Sequence, residues 1–312
     1  MELQQGEPNK NLQQLHHDYD GLWTAIVSPF RKAQIDFLAL DKIINHQIEG
    51  GVRGIVVAGS TGEGFSLNSE EYESLLERSV TFSAKRLLVV AGVTDVSYHG
   101  VLFKTKVAHR ARVDAIMCAI PPYIKPNRSG IMNYFQALHE ASTLPIILYS
   151  VPSRTNVDFA EEDLHNLFEL PNVIGFKDAS GDVQRAERLI SSINKPFAYF
   201  CGDDELLLPF SRVGANGLMS VASNVIPAQM QKMAMAIRDN DFNRATYLDG
   251  ELRAVYDALN LDTNPVCVKY LMFLLKLCNA DLRHPLAQPN EETRKVLYEM
   301  ARKIRAKNTA CT

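Results

Sequence analysis

The chain has 312 residues, 46% hydrophobic and 22% charged, which supplies a sizeable core and excludes disorder as its main state. Its 33 basic and 36 acidic residues give a formal charge of -3, with no block of like charges, against a phosphate-backbone binder or a polybasic membrane patch. No apolar run approaches the ~20 residues that span a bilayer.

Residues 1–20 form a polar, Gln/Asn-rich extension without the apolar core of a signal peptide. Five cysteines lie far apart along the chain, and an odd number in a protein of this size reads as a reduced, cytoplasmic protein. The first strand is expected at Trp23 to Val27, stopped by Ser28-Pro29. One pattern then recurs: a short apolar run, a stop rich in Gly, Ser, Thr or Pro, and a stretch at helical spacing. The runs begin at Gly54, Leu87, Asp114, Pro145, Val173, Phe197 and Gly217. Between them, Phe37, Leu40, Ile44 and Ile48 share one helical face, as do Tyr72, Leu75, Leu76 and Val80. Ser69 is the expected N-cap of the second of these helices, with Glu70 and Glu71 in its first turn. Asp182 is expected to open another, whose face is Val183, Ala186, Ile190 and Ile193.

Alternating strand and helix with continuously apolar strands means a parallel sheet covered on both faces. Eight such units predict an α/β fold, a (β/α)8 TIM barrel over 21–239, since such a barrel typically needs ~250 residues. Residues 240–312 carry no strand signal and read as a C-terminal helical extension of about three helices. A doubly wound open sheet is the structural rival, and it would not need eight equal units.

Barrel active sites lie at the C-terminal ends of the strands, and few reactive side chains meet that condition. They fall in Gly59-Ser60-Thr61-Gly62-Glu63, Pro121-Pro122-Tyr123, Tyr149 with Arg154, Lys177, and Gly202-Asp203-Asp204. Lys177 closes an otherwise apolar strand. A free lysine is neutral only about once in a few thousand molecules at pH 7, and apolar burial favours the neutral amine, a nucleophile toward carbonyls. A phosphate clamp or a pair with Asp178 is the equal alternative on this residue alone. Tyr149 ends the preceding strand, where a phenol could relay protons or simply pack on a loop. Ser60 and Thr61 sit in a glycine-rich turn suited to a carboxylate or phosphate. Arg154 offers a bidentate anion clamp, or is a solvated loop arginine. Asp203 and Asp204 could hold Mg²⁺, although adjacent carboxylates more often cap a helix. Metal chemistry finds little support: the eight histidines form no i,i+4 pair on a helix, and no C-x-x-C occurs. There is no G-x-S-x-G elbow, dinucleotide fingerprint or P-loop.

Taken together, these stops resemble the pyruvate-dependent class I aldolase and lyase superfamily, over about Gly21 to Lys303. The carriers are Gly59-Ser-Thr-Gly-Glu63, Tyr149, and Lys177 in Ile174-Gly-Phe-Lys-Asp178. Within it, Tyr149-Ser-Val-Pro-Ser-Arg-Thr155, Gly202-Asp-Asp204 and Asn264-Pro-Val-Cys-Val-Lys269 resemble the dihydrodipicolinate synthases. The resemblance implies condensation of pyruvate with L-aspartate 4-semialdehyde to 4-hydroxy-tetrahydrodipicolinate, in lysine and diaminopimelate biosynthesis. It gives Lys177, Tyr149 and Ser60 catalytic places: imine formation, proton shuttling, and a hydrogen bond to Tyr149. It puts Thr61, Arg154, Met219 and Tyr123 at substrate-binding positions, Thr61 on the pyruvate carboxylate and Arg154 on that of the semialdehyde. It implies no cofactor and no metal, and a homo-oligomer, tetramer or dimer, with no nucleic-acid or membrane partner. One position departs: Ile124 stands where the synthases have a second tyrosine that reaches across a dimer interface. A 2-keto-3-deoxy-sugar-acid aldolase or dehydratase, and a keto-acid-binding barrel without turnover, stay open as alternatives.

Overall fold

The computed structural model describes residues 19–309, so most of the polar N-terminal stretch and Cys311 lie outside the described residues. The first strand, β1 (Gly21–Ala25), leads into a small hairpin of β2 (Phe30–Arg31) and β3 (Gln34–Ile35) that the sequence pattern does not announce. There follow α1 (Phe37–Glu49), β4 (Gly54–Val57), α2 (Ser69–Ser83), β5 (Leu88–Gly92), α3 (Tyr98–Ala111), β6 (Ala115–Ala119) and α4 (Arg128–Ala141). The next elements are β7 (Ile146–Ser150), the short α5 (Pro152–Thr155), α6 (Glu161–Phe168), β8 (Val173–Asp178) and α7 (Val183–Ser192). The barrel finishes with β9 (Ala198–Cys201), α8 (Leu207–Arg212), β10 (Gly217–Ser220) and α9 (Pro227–Arg238). Three helices are appended: α10 (Phe242–Leu259), α11 (Val266–Leu274) and α12 (Glu291–Thr309).

Strands β1 and β4 to β10 pair in parallel and close, with β10 returning to β1. The expected TIM barrel is therefore the observed architecture, with a C-terminal helical region. The barrel strands are mainly apolar on both faces because one face fills the barrel and the other meets the helices. Trp23, Val56, Val90, Ile147, Phe200 and Met219 pack inside, while a larger outer core joins the strands to α1–α9. Burying one such side chain contributes roughly 1.5–3 kcal/mol. Gly54 makes room for the central indole, since a Cβ there would lie 2.4 Å from Trp23.

Helix α2 begins one residue earlier than expected. Asn68 is its N-cap, accepting from the Glu71 amide while the Glu71 carboxylate accepts from the Asn68 amide. This reciprocal box satisfies two donors at once, which Ser69 would not. Asp182 caps α7 as expected, accepting from the Arg185 amide.

Strand β8 holds an irregularity that decides where its side chains point. Ile146 pairs with Val173, but Ile147 pairs with Gly175, so Ile174 is one residue too many. This is a β-bulge, which shifts the alternation of every residue after it. Ile174 lies inside the barrel, and strict alternation would put Phe176 inside too. Instead Phe176 packs outward against Phe159, Phe168 and Tyr199, and Lys177 turns inward. The close pairing needs glycine at 175, where a Cβ would lie 2.8 Å from the Ala198 carbonyl oxygen.

Candidate active site

A cavity of about 210 Å³ opens at the C-terminal ends of the strands, where the sequence reading puts the chemistry. Its wall contains Lys177, Tyr149, Ser60, Thr61 and Arg154, so five of the expected residues come together. Lys177 and Tyr149 are direct partners across β7 and β8, both buried. The ammonium stands over the phenol ring, 4.3 Å from its centre, an attraction between cation and ring face.

The turn after β4 forms the adjoining wall. Gly64 allows its sharp return, because a Cβ there would fall 2.0 Å from the Ala58 carbonyl oxygen. Glu63 adopts a left-handed φ of 51° and sends its carboxylate away from the cavity. There it meets the Lys269 ammonium in a fully buried ion pair, and its second oxygen accepts from the Arg283 amide at 2.8 Å. Ser28 adds a hydrogen bond to the Gly62 carbonyl at 2.6 Å. Removing one partner of a buried ion pair typically costs about 3–5 kcal/mol. The turn is thereby held from outside by the C-terminal region.

The same region reaches the cavity itself through Asn264. Its side-chain Nδ2 donates to Thr61 Oγ1 at 2.9 Å, and its backbone carbonyl accepts from Arg154 Nη2 at 2.9 Å. Asp203 and Asp204 both border the cavity, but they are held differently. Asp204 is structural, accepting from Ser220 Oγ at 2.5 Å and from the amides of Val221 and Ala222. Asp203 lines the cavity, where burial raises its carboxyl above the usual carboxylate range against the opposing pull of Lys177.

Behind Lys177, on the helix-facing side of the strands, Asp178 accepts from the Tyr199 hydroxyl at 2.6 Å and from the Ser180 amide. Arg185 lies 3.8 Å from it and pairs with Asp158, which accepts from Ser150 Oγ at 2.5 Å. This polar group occupies Asp178, so the alternative of a Lys177–Asp178 pair has no place in the structure. Asp178 and Lys177 point to opposite faces of β8.

Three expectations do not meet the geometry. Ser60 and Tyr149 share the cavity wall, yet among the described residues neither hydroxyl has a hydrogen-bond partner, so the expected Ser60–Tyr149 bond is not formed. Met219 is fully buried in the barrel interior in register with Trp23, below the cavity rather than on its wall. Tyr123 is 88% exposed, with a left-handed φ of 72°, because the loop after β6 turns its ring outward. Ile124 beside it is half exposed. A narrow extension of about 40 Å³ runs from Ser60, Tyr149 and Arg154 past Phe65, Ile120 and Pro122 toward that loop.

The sequence reading gave no role to Asn264, Glu63 or Lys269. Lys269 did leave a trace: it is the one charge in the apolar run from Val266 to Leu271, and a lone cation there implies a buried partner.

Residues 18–304 match the family model described as the dihydrodipicolinate synthetase family. The chain belongs to this family. The 4-hydroxy-tetrahydrodipicolinate synthase of Rickettsia bellii is 40% identical over 286 residues, covering 92% of this chain and 97% of that protein. The solved 4-hydroxy-tetrahydrodipicolinate synthase of Methylacidiphilum fumariolicum superposes with a TM-score of 0.89 at 34% identity, covering 93% of this chain and 97% of the other. The dihydrodipicolinate synthase of Cyanidioschyzon merolae, solved with lysine bound, gives 0.88 at 29% identity, covering 92% and 98%. Membership of the dihydrodipicolinate synthetase family accounts for the barrel and makes the protein a lyase of the synthase type.

Proposed function

We propose that the protein condenses pyruvate with L-aspartate 4-semialdehyde to form 4-hydroxy-tetrahydrodipicolinate. The observation that carries the reading is Lys177, a buried amine at a barrel strand end with the Tyr149 ring against it. The names of the relatives favour this substrate pair over keto-deoxy sugar acids.

Lys177 Nζ, after giving up a proton, attacks the pyruvate ketone, and the carbinolamine loses water to give an imine. The imine is its own electron sink, so the reading calls for neither metal nor organic cofactor. Thr61 and the amides of its turn hold the pyruvate carboxylate. Loss of a methyl proton turns the imine into an enamine, whose carbon attacks the semialdehyde carbonyl. Tyr149 carries protons in these steps, and Ser60 on the same wall supplies its hydroxyl partner once substrate is bound. Arg154 receives the carboxylate of the semialdehyde. The semialdehyde amine then displaces Lys177 from the imine carbon, which closes the ring and frees the enzyme. One water is released in all, and the aldehyde oxygen remains as the 4-hydroxyl.

The reading extends to a cytoplasmic homo-oligomer, tetramer or dimer. Phe65, Tyr98, Tyr123 and Ile124 expose apolar surface on the segments following β4, β5 and β6, beside the cavity, as an association surface does. Tyr123 is kept as a substrate-binding position only through that assembly.

The test is to treat the protein with pyruvate and borohydride and map the adduct by mass spectrometry. A stable adduct on Lys177 is expected, because reduction traps an imine. No adduct, or one on another lysine, overturns the mechanism.

A further inference from the structure

Thr61 accepts a hydrogen bond from Asn264, and this has consequences for what Thr61 can donate. A threonine hydroxyl carries one proton and two lone pairs. With Asn264 Nδ2 donating to Oγ1 at 2.9 Å, one lone pair is taken, and the proton is left for another acceptor. Thr61 is 3% exposed, and both residues line the cavity, so an acceptor in the cavity is the available choice. The position of Asn264 is fixed from two sides. Its backbone carbonyl accepts from Arg154 Nη2 at 2.9 Å, and α11, which begins two residues later, is anchored by the buried Lys269–Glu63 pair. The other atom of the amide, Oδ1, is buried without a partner. Turned the other way, the amide would accept the Thr61 proton and remove it from the cavity.

We propose that Asn264 is a positioning residue for the pyruvate site: its side-chain amide aims the Thr61 hydroxyl proton at the keto-acid carboxylate. This rests on the assignment of Thr61 to that carboxylate. Asn264 acts through Thr61 and has no part in proton transfer to the carbon skeleton. Its removal weakens pyruvate capture and leaves the chemistry of the bound imine alone. Replacement by a carboxylate does more harm than truncation. The introduced oxygens would accept the hydrogen bond that pyruvate needs and would face the pyruvate carboxylate with a like charge.

The experiment compares Asn264→Ala, Asn264→Asp and Thr61→Val with wild type in steady-state assays of both substrates, with thermal melts to establish folding. Thr61→Val and Asn264→Ala each raise the pyruvate KM roughly fivefold, the effect of one neutral hydrogen bond. Asn264→Asp raises it by more than about tenfold, the effect of a charge. In Asn264→Ala, kcat at saturating pyruvate and the semialdehyde KM stay within about twofold, a split that general loosening of the fold does not produce. If Asn264→Asp fails to fold, the Asn264→Ala split decides. A pyruvate KM within about twofold of wild type in Asn264→Ala, or equal changes in all three constants, overturns the proposal. If borohydride traps no pyruvate on wild-type Lys177, the parent mechanism has failed. If trapping succeeds and Thr61→Val matters but the Asn264 variants do not, only the positioning role has failed.

Discussion

Lys177 and Tyr149 face each other across a single pair of parallel strands, with the amine nitrogen 4.3 Å from the centre of the ring. The ring face attracts a cation, and the protonated imine carries the same positive charge as the lysine it replaces. The aromatic face therefore serves both states, whereas only the hydroxyl can move protons. Tyr149→Phe separates the two. Pyruvate and borohydride should still label Lys177 in this variant, while turnover falls about a hundredfold or more. Turnover close to that of wild type would remove Tyr149 from the proton path.

Arg154→Ala should leave trapping of pyruvate unchanged and lower kcat/KM for the semialdehyde by more than about tenfold, from a charge-assisted contact of roughly 1.5–3 kcal/mol. The guanidinium is anchored to Asn264 by one Nη2 bond, which leaves donors to receive a carboxylate. A variant that loses pyruvate trapping instead would place Arg154 on the first substrate.

Ile124→Tyr tests the one departure from the synthase pattern. A positioned proton-transfer group is worth roughly a hundredfold or more, and the inserted phenol should raise turnover in the assembled protein. Rate measurements before and after the substitution decide it. An efficient wild type that the substitution slows would show that Ser60 and water already complete the relay.

Lysine at millimolar concentration should leave initial rates nearly unchanged. The resemblance to lysine-inhibited synthases puts their effector contacts at the positions of Ser69, Tyr72, Val96 and Gly100. Here the Tyr72 hydroxyl is buried and donates to the Gly92 carbonyl at 3.1 Å. Asp95, the nearby carboxylate, is paired with Lys104 at 3.0 Å and accepts from the Ser97 amide. A side chain at 100 would begin 2.3 Å from the Asp95 carboxyl carbon. Asp95, the carboxylate beside the Val96 and Gly100 positions, is therefore already engaged and does not offset the desolvation of a cationic effector. Strong partial inhibition in a lysine titration would require Asp95 to exchange Lys104 for the effector.

The barrel was legible because each strand is an apolar run closed by a turn signal, and the observed strands begin within two residues of the expected positions. The five cavity residues were legible because strand ends in a barrel converge on one mouth. Other parts are set by contacts remote in sequence. The partners Glu63 and Lys269 are 206 residues apart, and Thr61 and Asn264 are 203 apart, so no local pattern relates them. Asn68 supplanted Ser69 as a cap because the side chain of Glu71 completes a box only with residue 68. The outward turn of Tyr123 depends on a left-handed backbone that its sequence, Pro122-Tyr123-Ile124, does not demand.

The extra residue at Ile174 gives β8 two independent halves. Upstream of it, the strand can gain or lose a residue by making or erasing the bulge, and the downstream pairing of Lys177 with Tyr149 stays as it is. Downstream there is no such slack. One residue inserted between Gly175 and Phe176 would carry the amine out among the helices and turn the Phe176 ring into the barrel in its place. The facing of the amine is thus set by the two-residue count from Gly175 to Lys177 and not by the length of the connection that leads into β8.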